Sequence, residues 1–392
     1  MEKKRTLSVL VVMTTFVILI VTYSISTQSQ LIARNRNFLT VFHPRNVTGP
    51  NYGKKILFWT PMFEVSSKEL AAKHRRCLLQ CDVNCTVTSD RREVMSVDAV
   101  MFHLRDLWVG GIGTKRFVPI PGYRRPSQVW VLYNMESLAY LQGDLNALNG
   151  YFNWTVWYRK DSTISIPYGQ VSELSETEIT AMSKHLETRN FFREKSKAVT
   201  GMISHCKDYA RRYKVIHELK TYINIEMFGD CYGKPCKGNF TECEDMLRKY
   251  KFYLALENSI CKDYVTEKYW GALARNQVPI VNWKNISDNI VIPNSYINIH
   301  DFKDMKALAS YLTMVGNNET LYNSYFTWKK RLTNRSECFT CKLCRALYNG
   351  TTFQHQVYSD IDAWLENDIC QKTSTFANIY NDLDWHFFKI YS

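Results

Sequence analysis

Short apolar runs that end in polar groups alternate with helix-like stretches along this chain, and that alternation restricts its fold more than any other feature. "KKILFWT" (54–60), "VDAVMFHL" (97–104) and "QVWVLYN" (128–134) read as strands covered on both faces, as in a parallel sheet. "SIPYG" (165–169) closes this half. After a charged helical stretch from Ser175 to Lys195 the pattern restarts. Strand 198–204, helix 207–220, strand 222–229, a Cys-rich loop, helix 242–250, strand 252–256, helix 263–275 and strand 278–283 then follow. This spacing predicts parallel α/β sheets in two domains joined near residues 185–197.

The start of the chain stands apart. Lys3, Lys4 and Arg5 precede an uncharged, mostly apolar run from Leu7 to about Ile25, close to the ~20 residues a helix needs to cross a bilayer. The reading is a cytoplasmic tail (1–6), a membrane-spanning signal anchor (7–25) and a polar stem (26–53), with the basic end in the cytosol and the rest lumenal. A cleaved signal peptide, with Ser24 and Ser26 at the cut, is the competing reading. Asn-x-Ser/Thr sequons at Asn46, Asn84, Asn153, Asn239, Asn285, Asn318, Asn334 and Asn349 are candidates for glycosylation.

All 12 cysteines follow the anchor, an even number that suits disulfides in an oxidising compartment. "CFTCKLC" (Cys338, Cys341, Cys344) has metal-like spacing but no His at finger distance. Disulfides are therefore expected, with Cys370 and the Cys231/Cys236/Cys243 group as candidate partners. The net charge of +13 is scattered rather than striped, so nucleic acid is not an expected partner.

In "FYLALENSICKDYVTEKYW" (252–270) polar groups crowd a strand-turn-helix junction, where open α/β sheets bind anions. Asp263 reads as the N-cap of a helix beginning at Tyr264, which would place Tyr264, Glu267 and Lys268 on one helical face. Lys268 could then reach a phosphate and Glu267 sugar hydroxyls. An ordinary charged pair on a solvated face is the plainer account, and Glu257 and Asn258 at the strand end weigh against it.

This stretch, continued through "GALARNQVPIV", resembles the signature of α1,3-fucosyltransferases. "DAVMFHLRDL", "RPSQVWVLYNMES", "FNWTVWYRKDSTISIPYG", "MFG" and the late Cys-x-x-Cys extend the resemblance over about residues 54–350. It implies a Golgi type II membrane enzyme of GT-B type, with two Rossmann-like domains facing across a cleft. Residues 54–190 would bind the acceptor, 191–355 would hold GDP-fucose, and 356–392 would form a C-terminal extension. Fucose would pass, with inversion, to the 3-OH of a GlcNAc-type residue on glycoprotein glycans. The acceptor, N-glycan core or LacNAc/LacdiNAc antenna, stays open. By the same resemblance Arg212, Asn258, Tyr264, Glu267 and Lys268 contact the donor and Glu136 is the base; Tyr168 reads as lining the donor pocket, with a turn role for Pro167 and Gly169 an equally good account of "PYG". Arg211 beside Arg212 leaves that register open by one.

Two departures stand out. Leu138 replaces the Pro that follows Glu-Ser in the family, and Leu256 replaces the Phe before Glu257-Asn258. The first keeps open a catalytically silent glycan-binding protein. Arg159, Asp161 and Ser162 read equally well as structural. The Asp360/Asp362 and Asp382/Asp384 pairs resemble metal-holding Asp-x-Asp motifs, but neither follows a clear strand. Basic side chains can neutralise a diphosphate, so no metal is expected to be essential, and a divalent cation would at most stimulate.

Overall fold

The computed structural model describes residues 53–366 and Cys370, apart from 64, 110–115, 139–144, 237–239, 285, 288 and 350–356. The expected tail, anchor and stem lie outside the described residues, as do Asp382 and Asp384. Among the described residues no helix is long and apolar enough to cross a membrane. The described residues fall into two compact units, divided between Trp130 and Val131, with residues 347–349 belonging to the first.

In the first unit β1 (Lys54–Phe58) pairs in parallel with β2 (Cys85–Thr88) and β3 (Ala99–His103). Helix α1 (Ser67–Leu78) joins β1 to β2. Ser66 opens it with a capping box: its hydroxyl accepts from the Glu69 N–H and the Glu69 carboxylate accepts from the Ser66 N–H. Leu70, Ala71, His74 and Leu78 form the buried stripe. The His74 ring stacks on Phe58 at 5.2 Å. A short antiparallel pair, β4 (Trp108–Val109) and β5 (Arg116–Phe117), follows.

The second unit holds two parallel sheets. In one, β6 (Val129–Tyr133), β7 (Trp154–Trp157) and β8 (Ile164–Ser165) align so that Val131 faces Trp154 and Val156 faces Ile164. β9 (Val171–Glu173) and helix α2 (Glu176–Glu187) lead to the other. That sheet contains β10 (Lys197–Met202), β11 (Ile225–Phe228), β12 (Tyr250–Leu254), β13 (Val278–Val281) and β14 (Ile297–Asn298), in the order β11-β10-β12-β13-β14, all parallel. Helix α3 (Arg212–Lys220) connects β10 to β11, α4 (Phe240–Leu247) connects β11 to β12, and α5 (Glu267–Ala274) connects β12 to β13. Helices α6 (Met305–Asn317) and α7 (Glu319–Ser324) follow, and β15 (Leu332–Asn334) pairs antiparallel with β9.

Side chains alternate across the five-stranded sheet as two-sided burial requires. Phe252, Leu254, Val278 and Ile280 join Ile216 and Leu219 of α3 and Leu308 and Leu312 of α6 in one core. Tyr253, Ala255 and Val281 join Tyr269 and Leu273 of α5 in another. The strand order reverses between β10 and β12. In a doubly wound sheet that reversal opens a crevice at the carboxyl ends of those two strands, where ligands bind.

Every strand read from the sequence is present, but two helices begin later than their patterns suggest. Helix α3 starts at Arg212 rather than 207, after Arg211 in the left-handed region at φ 56°. Helix α5 starts at Glu267 rather than 263. Asp263 is itself left-handed at φ 59°, which breaks the helical path, and the N-cap is Thr266, not Asp263.

All the cysteines are disulfide-bonded. The partners differ from those expected for the Cys338 cluster: Cys370 pairs with Cys261, Cys231 with Cys206, and Cys236 with Cys243. Spacing along the chain does not reveal which loops fold together.

Candidate active site

β6 ends at Tyr133 and the chain turns through Asn134, whose side chain donates to the Glu136 carbonyl at 2.8 Å and accepts from its N–H at 3.3 Å. This Asx turn presents the half-buried Glu136 carboxyl. Its Oε1 accepts from the Ser137 N–H at 3.0 Å and from the Tyr264 hydroxyl at 2.5 Å. Its Oε2 accepts nothing among the described residues. The Tyr264 ring lies 5.0 Å from Tyr158 and edge-on to Tyr168 at 6.4 Å, and the Tyr168 hydroxyl donates to the Met135 carbonyl at 2.7 Å. Burial, with Tyr168 and Glu136 beside it, holds the Tyr264 phenol far above its ordinary range, so it stays a donor.

After Tyr168 comes Gly169, where a Cβ would stand 2.2 Å from the Trp270 indole. Only glycine lets the turn lie against α5, which accounts for the Gly of "PYG".

The loop between β12 and α5 carries the densest polar network. Glu257 is fully buried and accepts from the Thr266 N–H at 2.8 Å, the Thr266 hydroxyl at 2.8 Å and Lys268 Nζ at 3.0 Å. Asn282, just past β13, locks the Glu257 backbone through both amide atoms, at 2.9 and 3.1 Å. Lys268 spends its other donors on Thr266 at 2.9 Å and on exposed Glu267 at 3.2 Å. Burial works against the Lys268 charge, and Glu257 and Glu267 outweigh it, so the ammonium is held above its ordinary range. Burial raises the Glu257 carboxyl while Lys268 pulls it back.

Asn258 is 7% exposed, and its Oδ1 has no partner among the described residues. Such an atom is costly in a dry interior and points to a donor that arrives with a ligand.

Arg212 enters from β10's side of the crevice. It is 2% exposed; Nε pairs with Asp208 at 3.2 Å, and Nη2 donates to the carbonyls of His205 at 3.1 Å and Lys207 at 3.2 Å. Nη1 makes no bond among the described residues. Arg212 is close enough to Lys268 to oppose its charge. Arg211, by contrast, is exposed.

The structure thus joins Glu136, Tyr168 and Tyr264 in one cluster and sets Lys268 and Glu267 on the first turn of α5. Three expectations change. Tyr264 precedes the helix and bonds Glu136 rather than sharing a face with Lys268. The N-terminus of α5 is occupied by Glu257 and Thr266, so it offers little to an anion. Lys268 is already fully paired. Asp208 and Thr266 were missed as site-builders; Glu257, already read as part of the polar crowd at the strand end, is the buried anchor of Thr266 and Lys268.

Other sequence candidates fall to structural roles. Arg159 forks onto Asp161 at 2.9 and 2.6 Å and lies 4.0 Å over the Trp364 ring. Ser162 is buried. Asp360 accepts from the Ala363 N–H at 2.8 Å at the start of helix Ile361–Glu366, so it caps that helix. Among the sequons, Asn84, Asn318, Asn334 and Asn349 are exposed. Asn153 is 4% exposed, which leaves no room for a glycan on the folded chain. Asn46, Asn239 and Asn285 lie outside the described residues.

A family model described as glycosyltransferase family 10 (fucosyltransferase) C-term matches residues 192–364, and one described as fucosyltransferase, N-terminal, matches residues 51–169. The chain belongs to the family 10 fucosyltransferases. Within that family it is similar to alpha-(1,3)-fucosyltransferase C of Drosophila melanogaster, 30% identical over 370 residues, covering 87% of this chain and 84% of that one. Alpha-(1,3)-fucosyltransferase 7 of Rattus norvegicus is 31% identical over 332 residues, with 82% of each chain covered. A solved structure described as alpha1,3-fucosyltransferase with GDP shares the fold at a TM-score of 0.50 and 14% identity, over 80% of this chain and 95% of that one. The parallel α/β sheets of this family 10 member therefore share a fucosyltransferase fold.

Proposed function

We propose that this chain is an α1,3-fucosyltransferase that moves fucose from GDP-fucose, with inversion, to the 3-OH of a GlcNAc-type residue on glycoprotein glycans. The observation that carries the reading is the Glu136 carboxyl, with one oxygen held by Tyr264 and Ser137 and the other open. A base for inversion needs that division: a fixed oxygen sets direction and a free one takes the proton from the acceptor hydroxyl. Positive character grows on the fucose ring as the bond to GDP lengthens. Negative charge grows on the departing diphosphate, where Arg212 Nη1 would donate and Lys268 would exchange exposed Glu267 for phosphate. Asn258 Oδ1 would accept from the nucleotide. These side chains supply the neutralising charge, so no metal is needed for the step.

The altered Glu-Ser-Leu motif does not by itself favour the silent glycan-binding reading. Tyr264 fixes Glu136 without help from a proline at Leu138. The family's two-part match supports the GT-B reading, with an acceptor domain and a donor domain. The basic, then apolar, N-terminal run supports a single-pass Golgi anchor with the remainder lumenal. The chain, incubated with GDP-fucose and defined core, LacNAc and LacdiNAc glycans, should yield an α1,3-linked product. Glu136→Gln should lose transfer while still binding GDP. Glycan binding by the wild type without any turnover would instead favour the silent protein, and transfer that survives Glu136→Gln would remove Glu136 as the base.

A further inference from the structure

Asp263 is 2% exposed and left-handed at φ 59°, a backbone that Asp adopts more readily than most residues. Its carboxylate binds one residue with both oxygens: Oδ1 accepts from the Ser287 N–H at 2.8 Å and Oδ2 from the Ser287 hydroxyl at 3.1 Å. We infer that Asp263 is a positioning residue for catalysis: clamped by Ser287, it turns the chain so that Tyr264 reaches back to Glu136. This rests on the proposed role of Glu136 as the base.

The left-handed residue is followed at once by Tyr264, whose N–H donates to the Cys261 carbonyl at 3.3 Å. The Val265 N–H then folds back onto the Asp263 carbonyl at 3.0 Å, so Tyr264 stands at the tip of a three-residue turn. A second buried acid holds the far end of that turn, since Glu257 accepts from both the N–H and the hydroxyl of Thr266. Tyr264 thus sits between two buried carboxylates, and its hydroxyl meets Glu136 Oε1 at 2.5 Å. Both anchors trace to one segment, the connection from β13 to β14. Asn282 opens that connection and fixes the Glu257 backbone; Ser287, farther along, fixes Asp263. The connection is itself seated in the core. The Ser287 carbonyl accepts from the Ile290 N–H at 3.3 Å, and Ile290 and Ile292 are buried. Ser287 therefore bears on where the base points without approaching it in the sequence.

Two substitutions separate the clamp from the backbone turn. Asp263→Gly accepts a left-handed φ and removes the carboxylate, whereas Asp263→Asn tolerates the same φ and keeps an oxygen for the Ser287 N–H. With GDP-fucose and a glycan that the chain accepts, Asp263→Gly should lower kcat about fivefold with KM for GDP-fucose within about twofold. Asp263→Asn should restore kcat to within about twofold of wild type. In a Tyr264→Phe background, Asp263→Gly should lower kcat by less than about twofold more, since both act through one phenol. Equal losses in the Gly and Asn variants, additive losses with Tyr264→Phe, or a raised KM at constant kcat would each overturn the inference. Should Asp263→Gly not fold, Ser287→Ala asks the same question more gently. That change also removes the Asn285 sequon, so Asn285→Gln is its control. A kcat about threefold below the control is expected, and one equal to it refutes the clamp. A fluorotyrosine at position 264 separates this from failure of the base reading. Transfer that survives Glu136→Gln would sink the base reading and leave the clamp standing. The fluorine resonance should still move in Asp263→Gly and stay in place in Asp263→Asn, and an unmoved resonance in Asp263→Gly means that Asp263 does not set Tyr264.

Discussion

Ser137 donates its hydroxyl to that of Ser259 across 2.9 Å, both side chains buried, and so ties the residue after Glu136 to the residue after Asn258. The serines of "ES" and "ENS" thus touch each other rather than substrate. Replacing either with Ala should cost about 1 kcal/mol in urea unfolding. The double variant should cost less than the sum, and strict additivity would show that the bond contributes nothing.

Tyr264→Phe keeps the ring and removes the hydroxyl that holds Glu136 Oε1. Steady-state kinetics should show kcat lowered by about tenfold with KM for GDP-fucose within about twofold. A rise in KM at constant kcat would return Tyr264 to the nucleotide-contact role that its motif first suggested.

Lys268→Met would strand the fully buried Glu257 without its cation. That should destabilise the second unit by about 3–5 kcal/mol, and adding Glu257→Gln should recover most of the loss. Chemical denaturation of the three variants tests this; no recovery in the double variant would mean that Lys268 matters for something other than compensating that charge.

Stability should fall in mild acid because of His74. Burial, with Lys73 adding to it, pushes this imidazole down to about 4. The unfolded chain takes up the proton near 6.5 and the folded chain only near 4, so between those values unfolding is favoured as pH drops. From pH 7 to pH 5 the loss should be about 2 kcal/mol. His74→Leu should flatten that slope in urea titrations at the two pH values, and an unchanged slope would assign the acid sensitivity to another group.

The strands were legible because two-sided burial leaves unbroken apolar runs: "VPIVNW" and "QVWVLYN" could hardly be anything else. Helix starts were less so, because capping residues compete. Asp263 and Thr266 are both good N-caps by type, and only the left-handed turn at Asp263 decides between them. The site residues were visible through their motif, but their partners were not. Nothing in "YVTEK" says that the tyrosine turns back to Glu136, 128 positions earlier. The disulfides were the least legible part, since pairing depends on loops brought together by the sheets.

Cys261 sits inside the Asn258–Lys268 loop, and its partner is Cys370, 109 residues later. During synthesis the ribosome releases the whole donor loop long before the cysteine that closes it. Until then Cys261 is a nascent thiol open to capture by any earlier cysteine. The bond that clamps this loop can close only after translation has passed residue 370, so the last covalent constraint on the crevice is set by a residue far outside the local sequence that builds it.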